Sequence, residues 1–336
     1  MKITINEIAE MAGVSKATVS RVLNQSKPVS DEIRDKVIKV IEETGFNPNS
    51  IARSLVIKKT YLIGIVIPEI ANPYFSQLVR GIEDEANARD YNIVICNADN
   101  EFQKENKSLQ VLKNKQVDGI VFLTSHLLEE HNLFFKTNSI PTVIIGTNSK
   151  EFNIPFVDID NFTAAYDVVR YVVSLGHSSI GLIRGPLTYQ NVSFFRLEGY
   201  KKALQDHGFP FEEHLVKSGD YKFESGYAAM EEFLKQDSKP TVIFAMNDEM
   251  AIGAMSCAID SGLSVPEDIS IIGFDDISLA SMVRPMLTTV NQPVYEMGLE
   301  SIKILINMIQ CPDKKVENVI FPHKIIERQS MSKIKD

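Results

Sequence analysis

Five residues between Lys16 and Arg21 have side chains suited to the edges of base pairs. The Arg21 guanidinium can pair bidentately with guanine, and the Ala17 methyl can meet a thymine methyl. Lys16, Thr18 and Ser20 can reach phosphates or bases. A second set, scattered through the rest of the chain, has a different chemistry. Asn72, Asn247 and Gln292 are planar amides, Asp275 is a carboxylate and Arg196 a guanidinium, groups that suit vicinal hydroxyls. Tyr74, Phe75 and Tyr221 offer aromatic faces for the apolar side of a sugar ring or a base. Asp275 and Asp276 are adjacent carboxylates and could hold a metal, but no second acidic or histidine cluster stands at ligand spacing. No Gly-rich phosphate loop and no Gly-x-Ser-x-Gly nucleophile motif occurs. The expectation is a binding protein, not an enzyme, with no cofactor and no metal.

The first set needs a rigid helix to present it. Thr4-x-x-Glu7 fits a capping box, so a helix starts near Ile5, with Ile8, Ala9 and Ala12 on one face. Gly13 suits a left-handed turn, and Ser15 can cap a second helix in which Val19, Val22 and Leu23 are the apolar contacts. Ser30 can cap a third helix, where Ile33, Val37, Val40, Ile41 and Thr44 keep helical spacing up to Gly45. A glycine turn between two short helices is the unit that lays its second helix in the major groove of DNA. The alternative for that helix taken alone is a solvated face with a stray arginine.

Residues 47 to 60 form a joint. Pro48 breaks the chain, and Asn49 or Ser50 can cap a helix over roughly 50 to 57 that is too short to stand alone. A groove of DNA or a twin copy would support it. Leu55 could then wedge into the minor groove while Arg53 and Lys58 steady the phosphates. Alternatively the joint is a linker whose leucine packs against the body.

From Tyr61 onward, short apolar strands alternate with amphipathic helices. The clearest strands are 61–68, 92–97, 119–124, 142–146, 179–184, 241–246 and 269–273. Helical stretches run over 74–89, 103–115, 162–175, 194–207, 224–236 and 248–262. Apolar strands separated by helices mean parallel sheets covered on both faces. The series restarts after about residue 161, so two doubly wound lobes are expected. Ligands bind beyond the carboxyl ends of such strands, and the second set of residues falls at those ends. Taken singly, Tyr74 and Phe75 could be core aromatics, Asp248 and Asp276 helix caps, and Arg196 a surface ion pair.

Composition fits this division. The chain has 336 residues, 44% of them hydrophobic, which allows two or three domains with sizeable cores. Its net charge of −9 conceals an asymmetry. Residues 1 to 60 hold ten Lys/Arg against seven Asp/Glu, so the remainder carries −12. A basic head on an acidic body can bind phosphate locally. Cys96, Cys257 and Cys311 are odd in number and far apart, which argues against a disulfide framework or zinc finger and fits a reducing cytoplasm. No signal peptide and no membrane-length apolar run is read.

Thr4 to Asn24 and the stretch Pro48-Asn49-Ser50-Ile51-Ala52-Arg53-Ser54-Leu55 closely resemble the LacI/GalR family of bacterial transcription repressors, and the likeness extends to about Ser330. The resemblance implies an α/β protein with a three-helix helix-turn-helix head over 1–48 and a hinge helix and linker over 49–60. The core, 61–330, would resemble periplasmic sugar-binding proteins. Its first lobe would cover about 61–161 and 291–321, its second about 162–290 and 322–330. The resemblance further implies a cytoplasmic homodimer on near-palindromic operator DNA, repressing carbohydrate-metabolism genes under a small-molecule effector, a sugar or sugar phosphate, with no membrane partner. Lys16, Ala17 and Arg21 take the sequence-reading positions. The wider DNA-contacting set is Thr4, Ser15, Thr18, Ser20, Asn24, Asn49, Ala52, Arg53 and, as wedge, Leu55. Arg196, Asn247 and Asp275 form the hydroxyl-binding core, Tyr221 the stacking platform, Asn72, Tyr74 and Phe75 the lining of lobe one, and Gln292 lies at the crossover. Many sugar-binding members carry an acidic residue after the fourth strand; Gly146-Thr147-Asn148 stands there instead, which puts ribose-like binding in doubt and leaves the effector open. The segments Arg80-Gly81-Ile82-Glu83-Asp84 and Val283 to Tyr295 resemble the catabolite-control branch of the family, which takes serine-phosphorylated HPr as corepressor. Lys303 stands where that branch places a phosphate-binding arginine. A purine-responsive repressor is a further alternative. The different-class alternative is a sugar-sensing module that no longer regulates genes.

Overall fold

The computed structural model describes residues 3–24, 28–45, 59–124, 127–147, 149, 152–187 and 192–334. The chain divides at Tyr61/Leu62 into two compact units.

The first unit holds α1 (Ile5–Met11), α2 (Lys16–Asn24) and α3 (Asp31–Thr44). The Thr4 amide donates to Glu7 Oε2 at 2.7 Å, and the Glu7 amide donates to Thr4 Oγ1 at 3.4 Å, which closes the capping box. Such a cap contributes about 1 kcal/mol. Gly13 turns the chain at φ +65°, where a side chain would be strained. Ser15 Oγ then accepts the Thr18 amide at 3.1 Å and starts α2. Ile8, Val19 and Val37 are fully buried and hold the three helices together. Ser30 precedes α3 in extended conformation but makes no side-chain cap. The first turn of α3 instead pairs its carboxylates along the helix, Asp31 with Arg34 and Glu32 with Lys36.

The second unit is two six-stranded sheets. Lobe one contains β1 (Leu62–Ile67), β2 (Asn92–Asn97), β3 (Gly119–Leu123), β4 (Thr142–Ile145), β5 (Phe156–Ile159) and β11 (Val319–Phe321). Their order is β11-β5-β4-β3-β1-β2, all pairs parallel. Lobe two contains β6 (Ile180–Arg184), β7 (Val216–Ser218), β8 (Val242–Ala245), β9 (Ser270–Asp275), β10 (Thr288–Asn291) and β12 (Lys324–Ile326). Their order is β12-β10-β9-β8-β6-β7, with β12 antiparallel to β10 and the rest parallel. Strands β3, β4, β5 and β8 are buried along their whole length, as parallel strands covered on both faces must be.

Helices α4 (Pro73–Asn87), α5 (Phe102–Asn114), α6 (Glu129–Asn138) and α12 (Val294–Gln310) belong to lobe one. Helices α7 (Asn161–Ser174), α8 (Val192–Asp206), α9 (Phe223–Leu234), α10 (Asp248–Asp260) and α11 (Ser278–Met282) belong to lobe two. The chain passes between lobes after β5, after β10 and between β11 and β12. Strands β5, β7, β11 and β12, each three or four residues long, and α6 were not expected from the sequence. The strand expected at 269–273 runs from Ser270 to Asp275, so Asp275 is its last residue. Among the described residues, no helix is long and apolar enough to cross a membrane.

Candidate functional site

In the first unit, Lys16, Ala17 and Arg21 are exposed on α2, and neither Lys16 nor Arg21 makes an ion pair among the described residues. Ala17 and Arg21 are four residues apart, as are Lys16 and Ser20, so the four share one helix face. Thr4 and Ser15 are exposed and serve as caps, and Ser15 Oγ lies 2.9 Å from Thr18 Oγ1. Asn24 is the last residue of α2. Asn49, Ala52, Arg53 and Leu55, and with them the expected hinge helix, lie outside the described residues.

In the second unit, a cavity of about 440 Å³ opens between the two lobes. It is lined by all eight residues expected there: Asn72, Tyr74, Phe75, Arg196, Tyr221, Asn247, Asp275 and Gln292. The strand ends bring them together. Asn72 follows β1, Asn247 follows β8, Asp275 ends β9 and Gln292 follows β10.

Arg196 sits at the floor. It is 4% exposed, so the surface ion pair allowed for it from the sequence is absent. Its Nε donates to Asn161 Oδ1 at 2.8 Å and its Nη1 to the Met246 carbonyl. Nη2 lies 3.9 Å from Asp275 Oδ1, and the guanidinium carbon is 3.5 Å from the centre of the Phe274 ring. Gln292 Nε2 donates to the same Asp275 oxygen at 2.7 Å. Burial pushes the Asp275 carboxyl up to about 7, against the pull of Arg196 and Gln292. Asp158, at the crossover behind Arg196, is likewise pushed up to about 7 by burial, although the Ile159 amide donates to it at 2.8 Å. The result is a polar floor whose geometry is set by several fixed partners.

Asn247 has two duties. Its Oδ1 accepts the Met250 amide at 3.0 Å and caps α10, while its Nδ2 donates to the Tyr221 carbonyl at 2.8 Å. The cap suggested for Asp248 therefore falls to its neighbour. Asp248 is fully buried and accepts from the Ile277 amide and the Thr289 hydroxyl, tying β10 and the start of α11 to α10. Asp276 is not a cap either: it pairs with Arg328 at 2.6 Å and accepts from Asn291. These commitments take the adjacent carboxylates in different directions. Among the described residues, no cluster of His, Cys, Asp and Glu could hold a metal.

The aromatic walls differ. The Tyr221 hydroxyl pairs with Ser193 Oγ at 2.5 Å, and its ring lies against Gly185, where a Cβ would fall 2.2 Å from Tyr221 Cζ. Tyr74 and Phe75 are partly exposed and meet edge to face, centroids 5.2 Å apart. Asn72 lines the cavity and also caps α4, accepting the Tyr74 amide at 2.8 Å. Tyr221 has φ +70° and Asp275 φ +118°. Such conformations cost about 1–3 kcal/mol each and persist where the surroundings enforce them, typically at ligand sites. Asp220, in the Gly219-Asp220-Tyr221 stretch read from the sequence as lying at a strand end, lines the cavity mouth; sequence reasoning missed the other carboxylates there, Glu69, Glu224 and Glu249, and Lys222 among them. Their signal was adjacency: Lys222 follows Tyr221, and Glu249 lies two residues after Asn247.

Residues 60–329 match the family model for periplasmic binding proteins and the sugar binding domain of the LacI family, and residues 4–49 match the model for bacterial regulatory proteins of the lacI family. Catabolite control protein A of Priestia megaterium is 41% identical over 333 residues, covering 98% of this chain and 99% of that protein. The HTH-type transcriptional regulator RegA of Clostridium saccharobutylicum is 36% identical over 98% of this chain and 99% of its own length. The structure of a lac repressor dimer bound to operator and an anti-inducer superposes with a TM-score of 0.88 at 28% identity, covering 99% of this chain and 100% of that one.

Proposed function

The chain belongs to the LacI family of bacterial regulatory proteins, as a transcriptional repressor with a sugar-binding-type effector domain, and from that premise we propose how its parts divide the work. A homodimer in the cytoplasm reads a near-palindromic operator of carbohydrate-metabolism genes through Lys16, Ala17 and Arg21 of each α2, with Leu55 as the minor-groove wedge. A small polyhydroxy effector, a sugar or sugar phosphate, occupies the cavity between the lobes and controls that binding without chemical turnover.

One observation carries the effector reading: Arg196, Asn247, Asp275 and Gln292 are each held by fixed hydrogen bonds, yet all line an open cavity. Preformed polar groups on a concave apolar wall suit a ligand that is rich in hydroxyls. A ligand shifts the DNA-competent population only as far as its affinities for the two states differ; a coupling of about 1–3 kcal/mol changes operator affinity roughly 5–150-fold.

The test is a thermal-shift screen of sugars, sugar phosphates and purines, followed by operator gel shifts with each hit. A sugar-class hit that alters operator affinity supports the reading; a purine as the only hit replaces it. Leu55→Ala is expected to weaken operator binding far more than non-specific binding, and equal loss overturns the wedge.

A second reading, a corepressor role for serine-phosphorylated HPr, is favoured by the 41% identity to catabolite control protein A. It is also favoured by the packing of α4 against α12, which carry the exposed Arg80 and the partly exposed Lys303. Adding that phosphoprotein to the gel shift separates the two: it strengthens operator binding only if this reading holds.

A further inference from the structure

The floor of the cavity is electrically settled, but its mouth is not. Glu69, Asp220, Glu224 and Glu249 line the mouth together with Lys222, while the other cation among the described lining residues, Arg196, lies on the floor and is committed there. Asp220 and Glu69 have local commitments: Asp220 accepts the Lys222 amide at 3.0 Å, and Glu69 accepts the Ala71 amide at 3.3 Å. Glu224 and Glu249 accept no hydrogen bond and join no ion pair among the described residues. Glu249 is only partly exposed, and burial holds its carboxyl above the usual range. The charges of Glu224 and then Glu69 push it the same way, while Lys222 pulls it down.

The arrangement also spans the cleft. Glu69 follows β1 in lobe one, whereas Glu224 and Glu249 stand in the first turns of α9 and α10 in lobe two. Closing the lobes brings like charges together, which is unfavourable unless something positive lies between them. A phosphate in this mouth would meet four carboxylates and one lysine. Neutral hydroxyls could donate to those carboxylates, and an ammonium could donate and also cancel their charge.

We propose that this cleft selects its effector by charge: it takes a polyhydroxy compound bearing a protonated amine, an amino sugar in chemical class, whose ammonium lies between Glu69 of lobe one and Glu249 of lobe two, and it turns away phosphorylated sugars. The ligand hydroxyls meet Arg196, Asn247 and Asp275 on the floor, so this inference rests on the sugar-effector reading above. The ammonium also relieves the repulsion between the lobes, so the amine that sets affinity is the group that favours closure.

Calorimetric titration of the full-length protein with three matched series tests this. The probes are glucose, galactose and mannose, each with its 2-amino and 6-phosphate derivative. In the series that binds, the expected order is amine, then neutral sugar, then phosphate, with steps on the order of tenfold for one charge–charge contact in a partly solvated site. Glu69→Gln and Glu249→Gln, one in each lobe, should each shrink the amine preference and narrow the gap to the phosphate. Cooperative thermal unfolding confirms that each variant is folded. The charge rule is overturned if the phosphate binds as tightly as the neutral sugar, if the amine gains nothing, or if both variants keep the wild-type preference. Failure of all nine probes to bind overturns the sugar-effector reading itself.

Discussion

The two lobes share a strand order yet contribute differently to the cavity between them. Lobe two supplies Arg196, Asn247 and Asp275, whose polar atoms are held by buried partners. Lobe one supplies Asn72, Tyr74, Phe75 and Glu69, which are half-exposed or exposed and lean on local turns and caps. One lobe is a preorganised floor and the other a wall. Preorganised groups give up little freedom when a ligand arrives, and a wall that meets the ligand on closure ties binding to motion. Under the proposed function, affinity for hydroxyls would fall to lobe two and the coupling to DNA largely to lobe one.

Arg196→Ala strikes the floor hardest. It removes the charge facing a buried carboxylate and leaves the Asn161 and Met246 acceptors without their donor, so a loss of about 3–5 kcal/mol in stability is expected. Effector response should vanish while operator binding without effector survives, if the ligand is an inducer. Arg196 holds the Asp275 carboxyl down against burial, so the variant's deficit should be smaller at acidic pH, where Asp275 is protonated. Arg196→Lys should not rescue, because an ammonium cannot reach Asn161, Met246 and Asp275 in the fixed directions of the fork. Phe75→Ala in the wall should weaken the effector with a smaller loss of stability. Chemical unfolding and effector titration of the three variants check this, and an equal stability loss for Phe75→Ala breaks the distinction between floor and wall.

Asp158 tests where the floor ends. It belongs to β5 of lobe one, yet Asn161 Nδ2 donates to it at 3.2 Å while Asn161 Oδ1 accepts from Arg196. A carboxyl whose folded pKa is raised binds its proton more tightly in the native state. Its contribution to stability is therefore complete below about pH 4 and is lost as pH rises through about 7. Asp158→Asn keeps the shape and has no proton to lose. The variant should gain about 2–4 kcal/mol on wild type between acidic and alkaline pH, from about 1.4 kcal/mol per pKa unit. Melting curves across that range decide; parallel curves would mean that Asp158 is not part of the buried network.

How much of this could be read in the sequence follows from the range of the interactions. The Thr4–Glu7 box and the Gly13 turn are local, and both stand where the residues indicated. Strands buried on both faces carry their own apolar signal, so β1, β3 and β4 were legible. Strands β11 and β12 have three residues each and take their places by pairing with β5 and β10, far away in sequence, which no local pattern announces. The cavity residues were legible because parallel sheets deliver strand ends to one place. Asp248 was not, because adjacency to a helix start suggests a cap while its actual partner, Thr289, is 41 residues away. Glu69, Glu224 and Glu249 of the mouth were missed because their meaning lies in charges that converge from two lobes.

The smallest test compares two asparagines with the same local task. Asn72 caps α4 in the wall through one hydrogen bond and is partly exposed. Asn247 caps α10 in the floor, is 3% exposed, and also donates to the Tyr221 carbonyl. Replacing a cap with alanine costs about 1 kcal/mol, and stranding a second buried group adds about as much again. Asn72→Ala should therefore lower stability by about 1 kcal/mol and Asn247→Ala by about 2, a melting-point difference of roughly 2–4 °C for a unit of this size. Asn247→Asp refines the comparison. It keeps the acceptor for the Met250 amide but loses the donor to Tyr221, and it adds a charge near buried Asp248 and Asp275. It should be no better than alanine above neutral pH and should recover as pH falls and the added carboxyl is protonated. If Asn72→Ala proves as costly as Asn247→Ala, wall and floor are equally preorganised, and the control of DNA binding must be sought elsewhere than in lobe closure.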